Sequence, residues 1–209
     1  KDNAVTWGTY HKNAKNVAAS LQKLNATSVS ILGFNSFEWF YSAMGAVYAG
    51  ASFTGIYTTN GAEAIKYVVK NSGSQVLIVD NLSSEIISFV KMVEHPLTIV
   101  VYGTNVDESV LPTNTNVKCY KWKKFVEIGN GITVEPNTDD ADDALVSLIF
   151  TSGTTGDPKG VRLTEKNIVS TIDMAMRMYD LKDERIVSYL PLSHVAGQII
   201  DLFSHFYHE

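Results

Sequence analysis

Val76-Leu77-Ile78-Val79 is an uninterrupted apolar run, with Ser74-Gln75 before it and Asp80-Asn81 after it. Bounded so tightly and lacking any polar alternate, it predicts a strand buried on both faces of a parallel sheet. Such a strand needs helices above and below. The flanking sequence supplies them. Val17, Leu21 and Leu24 recur at helical spacing with Ala14 and Ala18, predicting a helix over 10–24 capped by Thr9. Asn35 with Glu38, and Asn60 with Glu63, have the spacing of capping pairs and predict helices from 35 to about 50 and from 60 to Gly73. A further helix over 83–93 ends before Pro96. Strands are expected at 29–32, 52–56, 97–102, 144–150, 161–163 and 186–190, with an edge strand at 117–120. Short helices are expected near 122–128, after Thr164, and over 196–207. Strand and helix alternate in short units, so the fold class is α/β with a doubly wound, mostly parallel sheet. Residues 103–116 read as a surface loop and 130–143 as a connector.

The 209 residues suffice for one domain with a real core, and the net charge of −5 leaves no electrostatic footprint for nucleic acid. Cys119 is the only cysteine, so no intrachain disulfide partner exists. No apolar run is long enough to span a bilayer, and Lys1-Asp2-Asn3 opens no signal-peptide pattern. Lys118, Lys121, Lys123 and Lys124 surround Tyr120 and Trp122. A solvated helix face is the simpler reading, and contact with an anionic lipid surface the other. His205 and His208 lack convincing metal spacing, and Trp39, Phe40 and Tyr41 read first as core.

One stretch carries chemistry. Thr151-Ser152-Gly153-Thr154-Thr155-Gly156-Asp157-Pro158-Lys159-Gly160-Val161 lies between two apolar runs, giving strand, loop, strand. Glycines let the backbone approach a ligand, successive N–H groups can cradle an anion, and four hydroxyls and Lys159 complete an inventory suited to polyphosphate. It is not a Walker A loop: Pro158 precedes the lysine and Gly160 follows it. A ligand-free polar hairpin would have the same composition. His194, beside Ser193 and just past an expected strand end, has no G-x-S-x-G elbow to support a hydrolase reading.

TSGTTGDPKGV resembles the phosphate-binding signature of the adenylate-forming superfamily: acyl-CoA synthetases, luciferases and peptide-synthetase adenylation domains. Tyr189-Leu190-Pro191-Leu192-Ser193-His194 resembles a second family motif. The stretches from Ile31 to Phe40 and from Gly55 to Asn60 are most similar to long-chain acyl-CoA synthetases of the bubblegum type. The resemblance implies two steps. A fatty carboxylate attacks the α-phosphorus of ATP, releasing pyrophosphate, and coenzyme A thiol then displaces AMP to form a thioester. It assigns Thr151, Ser152, Gly153, Thr154, Thr155, Gly156 and Lys159 to the ATP phosphates, Thr151 also to Mg²⁺, and His194 to the acyl end of the site. It implies fatty acid, ATP and coenzyme A as substrates, and a location in the cytoplasm or on the face of an intracellular membrane. Another adenylating ligase, luciferase-like or acting on aryl acids, and a non-catalytic phosphate-binding module are the rival readings.

Two family motifs are not found: Y-G-x-T-E, whose glutamate helps hold Mg²⁺ in relatives, and Y-x-T-G-D, whose aspartate binds ribose. The C-terminal domain with its adenylation lysine is expected to lie outside residues 1–209. Residues 1–209 are therefore expected to be an incomplete N-terminal domain of an adenylate-forming enzyme, incompetent alone.

Overall fold

The computed structural model describes residues 4–104, 107–135, 143–151, 157–178 and 185–206. Its centre is a seven-stranded sheet ordered β5-β4-β3-β1-β2-β6-β7. The strands are β1 (Ser28–Leu32), β2 (Ser52–Ile56), β3 (Val76–Val79), β4 (Leu97–Val101), β5 (Val117–Lys121), β6 (Leu145–Thr151) and β7 (Lys159–Thr164). The first six pair in parallel, and β7 runs antiparallel to β6. β1, β2 and β3 are buried along their whole lengths, as expected for the unbroken apolar run of β3.

Helices cover both faces. On one side α1 (Trp7–Lys23), α2 (Phe37–Tyr48), α5 (Trp122–Ile128) and α6 (Glu165–Met178) close a core containing Val17, Leu21, Phe125 and Ile168. Trp39 is fully buried there, edge-on to Phe53 of β2 at 5.9 Å. On the other side α3 (Ala62–Ser72) and α4 (Ser84–Val90) close a second core with Ile65, Val69, Ile86 and Phe89. The doubly wound α/β reading holds.

Local departures have physical causes. Helix α1 begins at Trp7 because Thr6, not Thr9, is the cap: the Thr9 N–H donates to Thr6 Oγ1 at 3.2 Å. Helix α2 is capped by Ser36, whose Oγ accepts the Trp39 N–H at 3.2 Å, and this leaves Asn35 for other work. Gly61, with no side-chain bond, stands at the start of α3 in place of Asn60. Gly73 closes α3 in the left-handed region, as expected, where a side chain would be strained. Helix α4 ends at Val90, short of the expected Val93.

The strand expected at 186–190 does not form. That segment has no ladder partner among the described residues, and Ile186, Val187 and Tyr189 are exposed. The helix expected over 196–207 is helical from Val195 to Phe206, but only Val195–Gly197 (α7) is α-helical. Gln198–Phe203 winds as a π-helix and a 3₁₀ turn follows, while Tyr207 lies outside the described residues. No described helix is long and apolar enough to cross a membrane.

Candidate active site

Parallel strands β2 and β6 end level, with Phe53 opposite Ser147 and Thr54 opposite Leu148. Their C-terminal ends form the edge where open α/β sheets build ligand sites. From β6 the chain enters the hydroxyl- and glycine-rich loop, and it returns in β7. Thr151 and Lys159 are the last paired residues, so their Cα atoms stand about 5 Å apart at the loop's base. Both are exposed. Ser152, Gly153, Thr154, Thr155 and Gly156 lie outside the described residues.

Both legs of the loop are anchored. The Tyr67 hydroxyl, on α3, donates to the Pro158 carbonyl at 2.8 Å. The Tyr67 ring meets Phe150 edge-on at 6.2 Å. Phe150 in turn lies over Gly160, where a Cβ would come within 3.2 Å of its ring. Between α3 and this hairpin opens a cleft of about 830 Å³, lined by Tyr57, Lys66, Tyr67, Lys70, Phe150 and Pro158. Burial raises the Tyr57 phenol above its ordinary pKa, so it serves there as a neutral hydrogen-bonding group. Lys66 and Lys70, one helical turn apart, add positive charge to the same wall, and Glu63 and Asp157 on the lining offset it.

His194 reaches this edge from another element. Gly55 of β2 lines the cleft, and a Cβ there would lie 2.5 Å from Ser193 Cα. Glycine thus lets the residue before His194 press directly on the sheet edge. His194 itself is exposed and is not one of the residues lining the cleft. It caps α7, with Nδ1 accepting the Ala196 N–H at 3.1 Å. That bond assigns the proton of the neutral ring to Nε2, leaving an N–H donor on its outer side.

Mg²⁺ takes hard oxygen ligands and keeps several from water or phosphate. Thr151, exposed at the base of the loop, carries a hydroxyl of that oxygen type. No cluster of three or more His, Cys, Asp or Glu suited to a metal occurs among the described residues. His205 is exposed beside Trp7, His208 is outside the described residues, and the four lysines around Tyr120 and Trp122 are exposed, Lys124 paired with Glu127 at 2.9 Å.

A doubly wound sheet with an antiparallel hairpin, β6 to β7, at its edge agrees with the comparison against known families. A family model described as AMP-binding enzyme matches residues 1–209. The chain belongs to this family. Human long-chain-fatty-acid–CoA ligase ACSBG1 is 37% identical across 96% of this chain, and rat long-chain-fatty-acid–CoA ligase ACSBG2 is 37% identical across 97%. The chain spans 29% and 32% of the lengths of those relatives. The A-PCP didomain of carboxylic acid reductase from Segniliparus rugosus, solved with AMP, superposes with a TM-score of 0.77 at 21% identity, over 93% of this chain and 30% of that one. ATP-bound MatB from Rhodopseudomonas palustris gives 0.73 at 18% identity, over 97% and 38%. At such identity these two structures show a shared family fold. The resemblance to bubblegum-type synthetases holds along nearly the whole chain.

Residues with no site role legible in the sequence surround the candidate site. Tyr67 pins the loop, Gly55 admits the histidine segment, and Asn35 and Gln198 bind that segment's main chain. Tyr67, Gly55 and Asn35 act on residues far away in the sequence, and Gln198 reaches as far as Ser147.

Proposed function

We propose that this chain is part of the N-terminal AMP-binding domain of an ATP-dependent long-chain acyl-CoA synthetase. The observation that carries the reading is the hairpin base at Thr151 and Lys159, held beside a lysine-bearing cleft at the C-terminal edge of the sheet. The names of the relatives at 37% identity support fatty acid and coenzyme A as the other substrates. The chemical problem is charge. A carboxylate oxygen must attack the α-phosphorus of a polyanion, and the bond to pyrophosphate must break. Hydroxyls and N–H groups of residues 151–156, with Lys159, neutralise the β- and γ-phosphates as that charge develops. Thr151 offers an oxygen to Mg²⁺, which supplies further charge neutralisation when bound. His194 presents its Nε2–H to the acyl carboxylate and orients it. Coenzyme A thiol then attacks the acyl carbon and AMP leaves. The exposed lysines around Trp122 are the surface that would meet an anionic membrane, consistent with action in the cytoplasm or at a membrane face.

The test is single-turnover adenylation by the whole protein, with Thr151→Val and Lys159→Ala introduced separately. Each is expected to slow pyrophosphate release about 100-fold or more, the cost of losing one charge-stabilising group. Unchanged rates in both would overturn the phosphate assignment. A panel of acids tests the substrate class: preference for an aryl acid over palmitate would move the protein to another adenylating ligase. Nucleotide binding with no acyl-AMP from any acid would make it a phosphate-binding module.

A further inference from the structure

The segment carrying His194 has no sheet ladder among the described residues, yet its main chain is held at several points. Asn35, just past β1, holds it from one side. Its Nδ2 donates to Leu190 O at 2.8 Å and to Ser188 Oγ at 2.9 Å, and its Oδ1 accepts the Leu192 N–H at 3.1 Å. The Ser188 hydroxyl in turn donates to Asp201 Oδ2 at 2.7 Å, tying the segment to the helix that follows it. Gln198 holds it from the other side. Its Nε2 donates to Leu192 O at 3.0 Å, while its Oε1 accepts from Ser147 Oγ at 2.9 Å. Gln198 and Ser147 are both buried, at 1% and 0% exposure. Ser147 sits on β6, four residues before Thr151. Leu192 is thus gripped through its N–H by one amide and through its carbonyl by another, two residues before His194.

We propose that Asn35 and Gln198 are positioning residues that fix His194 relative to the phosphate loop. This rests on the reading of His194 given above. Gln198 is the bridge, because its two ends touch the histidine segment and the strand that delivers Thr151. Asn35 sets the height of the segment above the end of β1. Both amides use their donor and acceptor at once, so neither has an acidic equivalent. In Gln198→Glu a carboxylate oxygen would face Leu192 O, and in Asn35→Asp one would face Leu190 O, where each needs a donor. The expected result is displacement of His194 rather than unfolding. An ångström of misplacement at a reacting group costs on the order of 100-fold in rate.

The experiment compares Asn35→Asp, Gln198→Glu and His194→Ala in the whole protein, with each amide change also combined with His194→Ala. Thermal unfolding and ATP affinity are measured on every variant. Each amide variant is expected to lower kcat/KM for the fatty carboxylate about 10- to 100-fold, with ATP affinity within about twofold of the parent. In the His194→Ala background the same change should add less than about twofold, because residues acting through one group are not additive. Full additivity, or equal losses for ATP and carboxylate, would overturn the positioning role. Should Gln198→Glu fail to fold, Ser147→Ala, which removes only the β6 end of the bridge, replaces it with the same expectations. If His194→Ala alone leaves carboxylate use unchanged, the reading of His194 fails. If it impairs carboxylate use while the amide variants do not, only the positioning proposal fails.

Discussion

β3 and the segment at 185–194 are both rich in β-branched and aliphatic side chains, yet they meet opposite fates. Val76, Leu77, Ile78 and Val79 are at most 1% exposed, with ladders to β1 and β4 on either side. Ile186, Val187 and Tyr189 are 38%, 76% and 78% exposed. Apolarity makes a strand only where the main chain finds partners; a segment without them is shaped by whatever side chains satisfy its polar groups. In β3 the hydrophobic core fixes the structure. In the histidine segment Asn35, Gln198 and one close approach at Gly55 fix it. Changes in the first region should therefore act on stability, and changes in the second on chemistry.

The largest effect expected tests the first half of that division. Ile78→Ala removes a fully buried side chain from β3 and should destabilise the fold by about 2–5 kcal/mol, measured by denaturant unfolding. Val187→Ser, at a 76% exposed position, should stay within about 0.5 kcal/mol. Comparable losses from the two would mean that the segment is packed like the sheet, and the distinction would collapse.

Gly55→Ala sits where the two regions touch. The added methyl would lie 2.5 Å from Ser193 Cα, a backbone atom that no rotamer change can move aside. Overpacking of this kind costs about 1–3 kcal/mol. Because the segment has no ladder among the described residues, it should yield before β2 does, so carboxylate activation should fall while thermal stability drops only a few degrees. A large loss of stability with activity kept would show that the sheet gives way first and the segment is the stiffer partner.

The same contrast explains what the sequence made legible. The sheet was readable because its signals are local: apolar runs, helical spacing, and Gly73 at a helix end. The hairpin of β6 and β7 was readable because its two strand-forming runs and the polar loop between them are contiguous. Asn35 was misread as a helix cap because Asn35 and Ser36 are both good caps, and nothing within a few residues chooses between them. Its partners lie more than 150 residues away, as the bond to Leu190 shows. Segment 186–190 was misread as a strand because its composition is that of one, and the missing ladder is a tertiary fact. Gln198 gave no signal at all, since a buried amide looks like any glutamine until its two partners are in place.

Cys119 lies between these extremes and carries the smallest effect. It sits on β5, the edge of the sheet, opposite Ile99, and is half-buried. Burial foremost, with Glu108 adding to it and Lys121 opposing, pushes its thiol up to about 11. The folded chain therefore favours the neutral thiol over its ordinary value of 9.0. The resulting stability is fully present below pH 9 and is lost as the pH rises from 9 through 11. Its size is small because the edge is open to water. Reactivity is the sharper measure, since only the thiolate attacks. At pH 8 alkylation by iodoacetamide should run about 100-fold slower than in the unfolded chain, from the two-unit difference in pKa alone. The rate should climb about tenfold per pH unit until it levels near 11. A plateau near pH 9 would show that β5 is as solvated as the histidine segment, and that burial in this sheet stops at β4.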